Sequence, residues 1–415
     1  MPQARRLHFG YLVVVTLVIM SFIPLSLGIS CAGIFYPAIS ADLGIGRGLL
    51  GNYMSFVWIA PLAFLPLIGR LFSKLDARVC LSGGVAIAVV AFVWLSFTRT
   101  LWQFYVGGFL MGVSVAILLL IAPSTLINRW FAKRAGFMLG IVMAFTGTGG
   151  VVWSPIGGIL IQAIGWSATY RVFALLCAVT LPAAIFMVRS EPADLGLAPW
   201  GAETDVAGAE DDAPETTAAS PEGMTASEAF RSPIFYILLV STLFLNFGMY
   251  LYSMLPSYIS TMDIATAMPL LGATASSVAM AGQTISKLVL GFTGDKKPYA
   301  SVCAGVSLGI VGVVLLATGL QAVALIYAAA FTYGFFYGVT NVMMPILTRK
   351  NFGIRDYPRI YARVSMASCT GALVSGFVWG PTIEATGSFT ITFTGIIAMM
   401  ALSIFFLLIV KRKAK

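Results

Sequence analysis

The sequence predicts an all-α membrane protein, twelve transmembrane helices in two pseudo-symmetric six-helix bundles. Three observations predict it. The 415 residues are 59% hydrophobic and only 10% charged, whereas soluble domains carry about 25% charged residues. Apolar stretches long enough to cross a hydrocarbon core about 30 Å thick recur along the chain. Landmarks of the first half also return in the second at a single offset of 222 residues: Gly69 with Gly291, Gly158 with Gly380, Gly165 with Gly387.

The first apolar stretch, 11–39, follows Arg5-Arg6 and lacks both a short apolar core and a small-residue cleavage site, so it reads as a first span and not a signal peptide. Span 47–72 ends in Gly69-Arg-Leu-Phe-Ser-Lys74. Spans 79–97 and 102–127 follow, the latter closed by a basic run from Arg129 to Arg134. Spans 135–163 and 167–188 complete a bundle over residues 1–188. Residues 189–232 differ in kind, holding ten of the sixteen acidic residues, and read as a disordered tether. Within that tether Thr225-Ala-Ser-Glu228 has the form of a capping box. Residues 233–415 repeat the plan with spans 233–262, 267–294, 299–318, 321–347, 359–385 and 388–410. The eighth span stops at Asp295-Lys296-Lys297.

Charge sets the orientation. With the N-terminus cytoplasmic, 21 of the 25 Lys and Arg fall in inside loops or termini, so both termini are expected inside. This distribution explains the net charge of +9 by topology, without a nucleic-acid partner. Five cysteines lie in apolar stretches without CxxC spacing and read as packing residues. The single His8 precedes the first span, so no metal site or cofactor is expected. An intramembrane enzyme would need a nucleophile–base pair at depth, for which the spans offer no His or acid. No ring of charges marks a channel. The tryptophans, Trp58, Trp153 and Trp379 among them, read as packing or interface anchors.

One residue breaks the apolar pattern. Lys287 lies eight residues before Asp295, about 12 Å into the membrane at ~1.5 Å per residue. A cation there costs about 2.5–3.5 kcal/mol on insertion scales, and such residues mark substrate or ion pathways. No acid accompanies it in sequence. Lys287 is therefore expected to seat one carboxylate, with Gln283 a turn away on the same face. Tyr333, Tyr337 and Asn341 form a polar stripe on the tenth span, and Asn246 and Tyr250 a pair on the seventh; all are expected to line the substrate cavity. Gly147–Gly150 and Gly371–Gly376 permit close helix contact.

The glycine, acid and basic pattern after the second and eighth spans resembles the signature loop of the major facilitator superfamily. Trp130-Phe-Ala-Lys-Arg134 with Gly140, Glu228-Ala-Phe-Arg-Ser-Pro-Ile-Phe-Tyr236, and Lys287-Leu-Val-Leu-Gly291 resemble stretches of the monocarboxylate transporters and of their bacterial relatives, the oxalate/formate antiporters. The resemblance implies a secondary transporter of the bacterial cytoplasmic membrane, acting as a monomer, that moves a small monocarboxylate such as L-lactate or pyruvate with a proton. A proton-independent carboxylate exchanger is the alternative. The chain departs from the pattern at Gln283, where the relatives carry an acid, and near Ser30 and within Met366–Thr370, where certain relatives carry lysines. Proton-coupling candidates are Asp263, Glu384 and Lys287 itself. Asp295, Arg129, Lys133 and Arg134 are expected to hold the two halves together through salt bridges at the cytoplasmic gate.

Overall fold

The computed structural model describes residues 8–45, 49–50, 52–202, 223–259, 261–264, 268, 271–318, 322–386 and 388–413. Helices carry nearly all of them, and among the described residues only two isolated β-bridges occur. The first bundle holds α1 (Phe9–Leu43), α2 (Tyr53–Lys74), α3 (Ala77–Phe97), α4 (Leu101–Trp130), α5 (135–164) and α6 (166–186). The second holds α7 (Pro233–Phe247 and Tyr250–Ile259), α8 (Leu271–Lys296), α9 (Pro298–Ala317), α10 (Val323–Phe352), α11 (Tyr357–Thr386) and α12 (Thr390–Lys413). Large apolar side chains such as Val79, Phe97, Leu175, Phe186, Phe377 and Phe405 are exposed around the outside, as lipid-facing helices require.

Departures from regular α-geometry gather at mid-span. α1 widens into π-helical turns over Ser21–Ser30, where Pro24 offers no N–H. The Ser26 hydroxyl then donates to the Ser21 carbonyl at 2.8 Å. π-turns recur at Ala116–Ile121 of α4 and Val339–Met343 of α10, near-equivalent positions in the two halves. The expected seventh span, 233–262, is interrupted at Gly248-Met249. The Tyr333 hydroxyl donates to the Gly248 carbonyl at 2.6 Å, satisfying an acceptor that the interruption frees. α5 and α6 meet at Gly165, whose φ of 81° turns the chain.

The halves meet along α5 with α8 and along α2 with α11. A Cβ on Gly291 would press on the Gly136 carbonyl oxygen, and one on Gly69 would stand 2.7 Å from the Pro358 carbonyl oxygen and 2.8 Å from the Ala362 Cβ. Pro358 and Ala362 are the repeat equivalents of Gly136 and Gly140, so the sequence repeat is also a contact repeat.

The acidic segment is tethered at both described ends. Phe131 bridges Trp200, and Gly353, the repeat equivalent of Phe131, bridges Gly223. His8 Nε2 lies 3.0 Å from the Ala198 carbonyl oxygen. The capping box is formed, Thr225 N–H donating to Glu228 Oε2 at 2.7 Å and Glu228 N–H to Thr225 Oγ1 at 3.3 Å. The Thr225 N–H, and after it the Thr225 hydroxyl, hold the Glu228 carboxyl below its ordinary pKa. Order thus extends inward from each end of the expected disordered stretch, while its middle, 203–222, lies outside the described residues.

Candidate functional site

Mid-span distortions line a central cavity between the bundles. Its larger lobe, about 380 Å³, is walled on one side by α1, α2, α4 and α5 and on the other by α8 and α10. Lys287, Gln283, Tyr337 and Asn341 all line it, and Ser30 faces them from α1.

Lys287 is 3% exposed. Its Nζ donates to Thr146 Oγ1 at 3.0 Å, across the boundary between the halves, and lies 6.0 Å from the Tyr337 ring centroid. That distance is at the outer limit of cation–π attraction. Thr146 passes its own proton to the Met143 carbonyl at 2.7 Å, so its hydroxyl oxygen is turned to accept from the ammonium. The Thr146 carbonyl in turn accepts from Ser26 Oγ at 3.1 Å and Ser30 Oγ at 3.4 Å. Among the described residues lining the cavity, Lys287 is the one charged side chain.

A second lobe, about 230 Å³, lies among α7, α10 and α11 and shares Trp58, Tyr337 and Asn341 with the first. Asn246 and Tyr250 line this lobe and not the one holding Lys287. The π-turn of α10 shapes the junction. Thr340 Oγ1 and Asn341 Nδ2 donate back to the Tyr337 carbonyl at 3.2 and 3.1 Å, replacing the bond that the wider turn displaces.

Several expectations require correction. Tyr333 lines neither lobe, because its hydroxyl is committed to Gly248 and its ring is buried in the second bundle. Trp58, expected as an anchor, is a wall of both lobes. Asp263 is exposed beyond the end of α7 and lines neither lobe, and the Glu384 side chain lies outside the described residues.

Asp295 and Arg129 also behave differently from the expected salt bridges between the halves. Asp295 accepts hydrogen bonds from the Gly136 and Phe137 N–H groups at 2.7 and 3.0 Å, capping the first turn of α5 from the opposite bundle. Arg129 stays within its own half, bonding the Phe72 carbonyl at 3.1 Å and pairing with Glu191 at 3.8 Å. Lys133 packs beneath Gly201, and Arg134 takes a left-handed φ of 61° just before α5. At this end Arg349 crosses to the other half, donating to Asn128 Oδ1 at 3.1 Å and to the Ala132 carbonyl at 3.4 Å. Its place in the basic end of α10 was visible in sequence; its partner in the other half was not. α5 and α8 remain in contact from this end up to Gly147 and Thr284, and α2 packs on α11 where Gly69 meets Pro358, so both seams between the halves are closed on the basic-loop side.

A model described as Major Facilitator Superfamily matches residues 18–376. The chain is 25% identical over 244 residues to the uncharacterized transporter ESBP6 of Saccharomyces cerevisiae, a match covering 57% of this chain and 33% of that protein. It is 23% identical over 358 residues to monocarboxylate transporter 12 of Homo sapiens, covering 79% of this chain and 66% of the human one. The fujikurins efflux protein of Gibberella fujikuroi matches at 25% over 189 residues, 45% of this chain and 35% of that one. This chain thus spans about a third of the length of these fungal relatives.

Proposed function

This chain belongs to the major facilitator superfamily of membrane transporters, and from that premise we propose that it moves a small monocarboxylate, such as L-lactate or pyruvate, together with a proton by alternating access. The supporting observation is the Lys287 ammonium, buried at the bundle boundary with a neutral hydroxyl as its polar partner. One ammonium in a site of low dielectric calls for one anionic charge. A carboxylate at Nζ would also link the halves, since Thr146 belongs to one and Lys287 to the other. The similarity to monocarboxylate transporter 12 agrees with this substrate class.

Residues 1–188 and 233–415 act as the two rocking bodies and 189–232 as their cytoplasmic tether. In this reading the basic loops and both termini face the cytoplasm of a bacterial cell, and a monomer suffices. The closed basic-loop side would then make the described conformation outward-facing. Proton-independent exchange is the second reading, favoured by one observation: no Asp or Glu is among the described residues lining the cavity.

Uptake into proteoliposomes tests both. Lys287→Ala should abolish uptake of labelled lactate and pyruvate while the protein still folds, and normal uptake in that variant refutes the site. Stimulation by an imposed proton gradient supports symport. Counterflow indifferent to pH supports exchange.

A further inference from the structure

The lobe among α7, α10 and α11 has no role in holding a three-carbon acid. The lobe at Lys287 already measures about 380 Å³, the share of roughly a dozen waters at ~30 Å³ each. A lactate or pyruvate seated at Nζ leaves the adjoining 230 Å³ empty of ligand. Yet polar side chains are set among its apolar walls. Asn246, Tyr250, Tyr252, Thr340, Ser365 and Ser375 line it, and none of its described lining residues is charged.

The hydrogen bonds of these residues determine what they offer. Asn246 Nδ2 donates one hydrogen to the Thr242 carbonyl at 2.8 Å, and Asn341 Nδ2 one to the Tyr337 carbonyl at 3.1 Å. Thr340 and Ser375 give their protons to the Tyr337 and Ala372 carbonyls. One N–H of each amide and the hydroxyl protons of Thr340 and Ser375 thus go to backbone, while the second amide N–H groups and the amide and hydroxyl oxygens can meet a ligand. Ser365 Oγ, on a residue only 2% exposed, has no partner of ordinary hydrogen-bond geometry. The Tyr361 phenol, one turn before it, is close enough to feel it. A buried polar atom left in this state is costly unless a ligand or water completes it.

We propose that this lobe is a second subsite, free of charge and offering both donors and acceptors, which receives the hydroxyl-bearing tail of a monocarboxylate longer than lactate while its carboxylate rests at Lys287. The proposal rests on the carboxylate reading of Lys287. An apolar tail would leave these polar groups unpaired, and a second carboxylate would find no cation to balance it.

Competition against labelled pyruvate by the full-length protein in proteoliposomes tests it, using hexanoate, 6-hydroxyhexanoate and adipate together with their four- and eight-carbon counterparts. The hydroxy acid of the best length should compete about tenfold better than the alkyl acid, and the diacid worst of all. Ser365→Ala should bring hydroxy and alkyl acids to within about twofold of each other. Equal competition by all three tails, or preference for the diacid, overturns the subsite while leaving the Lys287 reading intact. If no carboxylate of any length competes and pyruvate itself is not taken up, the Lys287 reading has failed and the subsite with it.

Discussion

Lys287 Nζ and Thr146 Oγ1, 141 residues apart in sequence and on opposite bundles, lie 3.0 Å from each other. Among the described residues no acid pairs with the ammonium, and it is held by a hydroxyl whose proton is already given to the Met143 carbonyl. Hydrogen bonds to a charged group contribute about 1.5–3 kcal/mol. Thr146→Val removes the acceptor while keeping the shape, so the apparent affinity for the transported acid should fall roughly tenfold or more. Thr146→Ser should restore it. Concentration dependence of initial uptake reads both, and an unchanged KM in the valine variant would show that the hydroxyl does not position the lysine.

Asp295 offers a separate handle on the conformational equilibrium. Its carboxylate caps α5 from the other half through Gly136 and Phe137. Loss of a cap costs about 0.5–2 kcal/mol, which is about a two- to thirtyfold change in the ratio of closed to open forms. In Asp295→Ala, a single cysteine introduced at Ile127, buried near the basic-loop end, should react faster with a water-soluble maleimide by that factor. Arg349→Ala should act in the same direction, because Arg349 spans the same boundary to Asn128 and Ala132. Unchanged labelling in both variants would mean that these contacts do not hold the gate.

Much of this arrangement was legible in the sequence, for a physical reason. Membrane spans must be apolar and roughly of fixed length, so their number, their repeat and the anomaly of Lys287 all appear as composition. The partners of Lys287 did not. Thr146 is one of many threonines in apolar helices, and only the packing of α5 against α8 distinguishes it. Trp58 reads as an anchor because a tryptophan in a span gives no sign of which face it occupies. The gate was misassigned for a related reason: charge counting identifies basic loops, but Arg129 turns to its own half and Arg349 to the other. Tyr333 shares the helical stripe of Tyr337, yet the interruption of α7 at Gly248 draws its hydroxyl away from the cavity.

That last contact carries its own prediction. Tyr333 is 1% exposed and its hydroxyl bonds a carbonyl that the broken helix leaves without a helical partner. Tyr333→Phe strands that carbonyl in a buried setting, at a cost of about 1–3 kcal/mol. Thermal unfolding in detergent should begin at a lower temperature, whereas the order of preference among competing acids should not change. A changed order with unaltered stability would return Tyr333 to the cavity wall.

Among the described glycines, an added Cβ would meet the other half most closely at Gly140, where it would run into the Lys287 carbonyl oxygen and come within 3.4 Å of the Gly291 Cα. Both obstacles are backbone, so no rotamer change relieves them, and α5 and α8 must separate. Because Lys287 lies on the helix that is displaced, separation should pull Nζ away from Thr146 as well as open the basic-loop side. Gly140→Ala should therefore lower uptake and Gly140→Val abolish it, with protein yield maintained because each bundle keeps its own core. Gly158, also on α5, supplies the control: a Cβ there meets nothing within 4 Å, and Gly158→Ala should transport normally. Equal activity of the Gly140 and Gly158 variants would show that close contact between α5 and α8 is not required for the cycle.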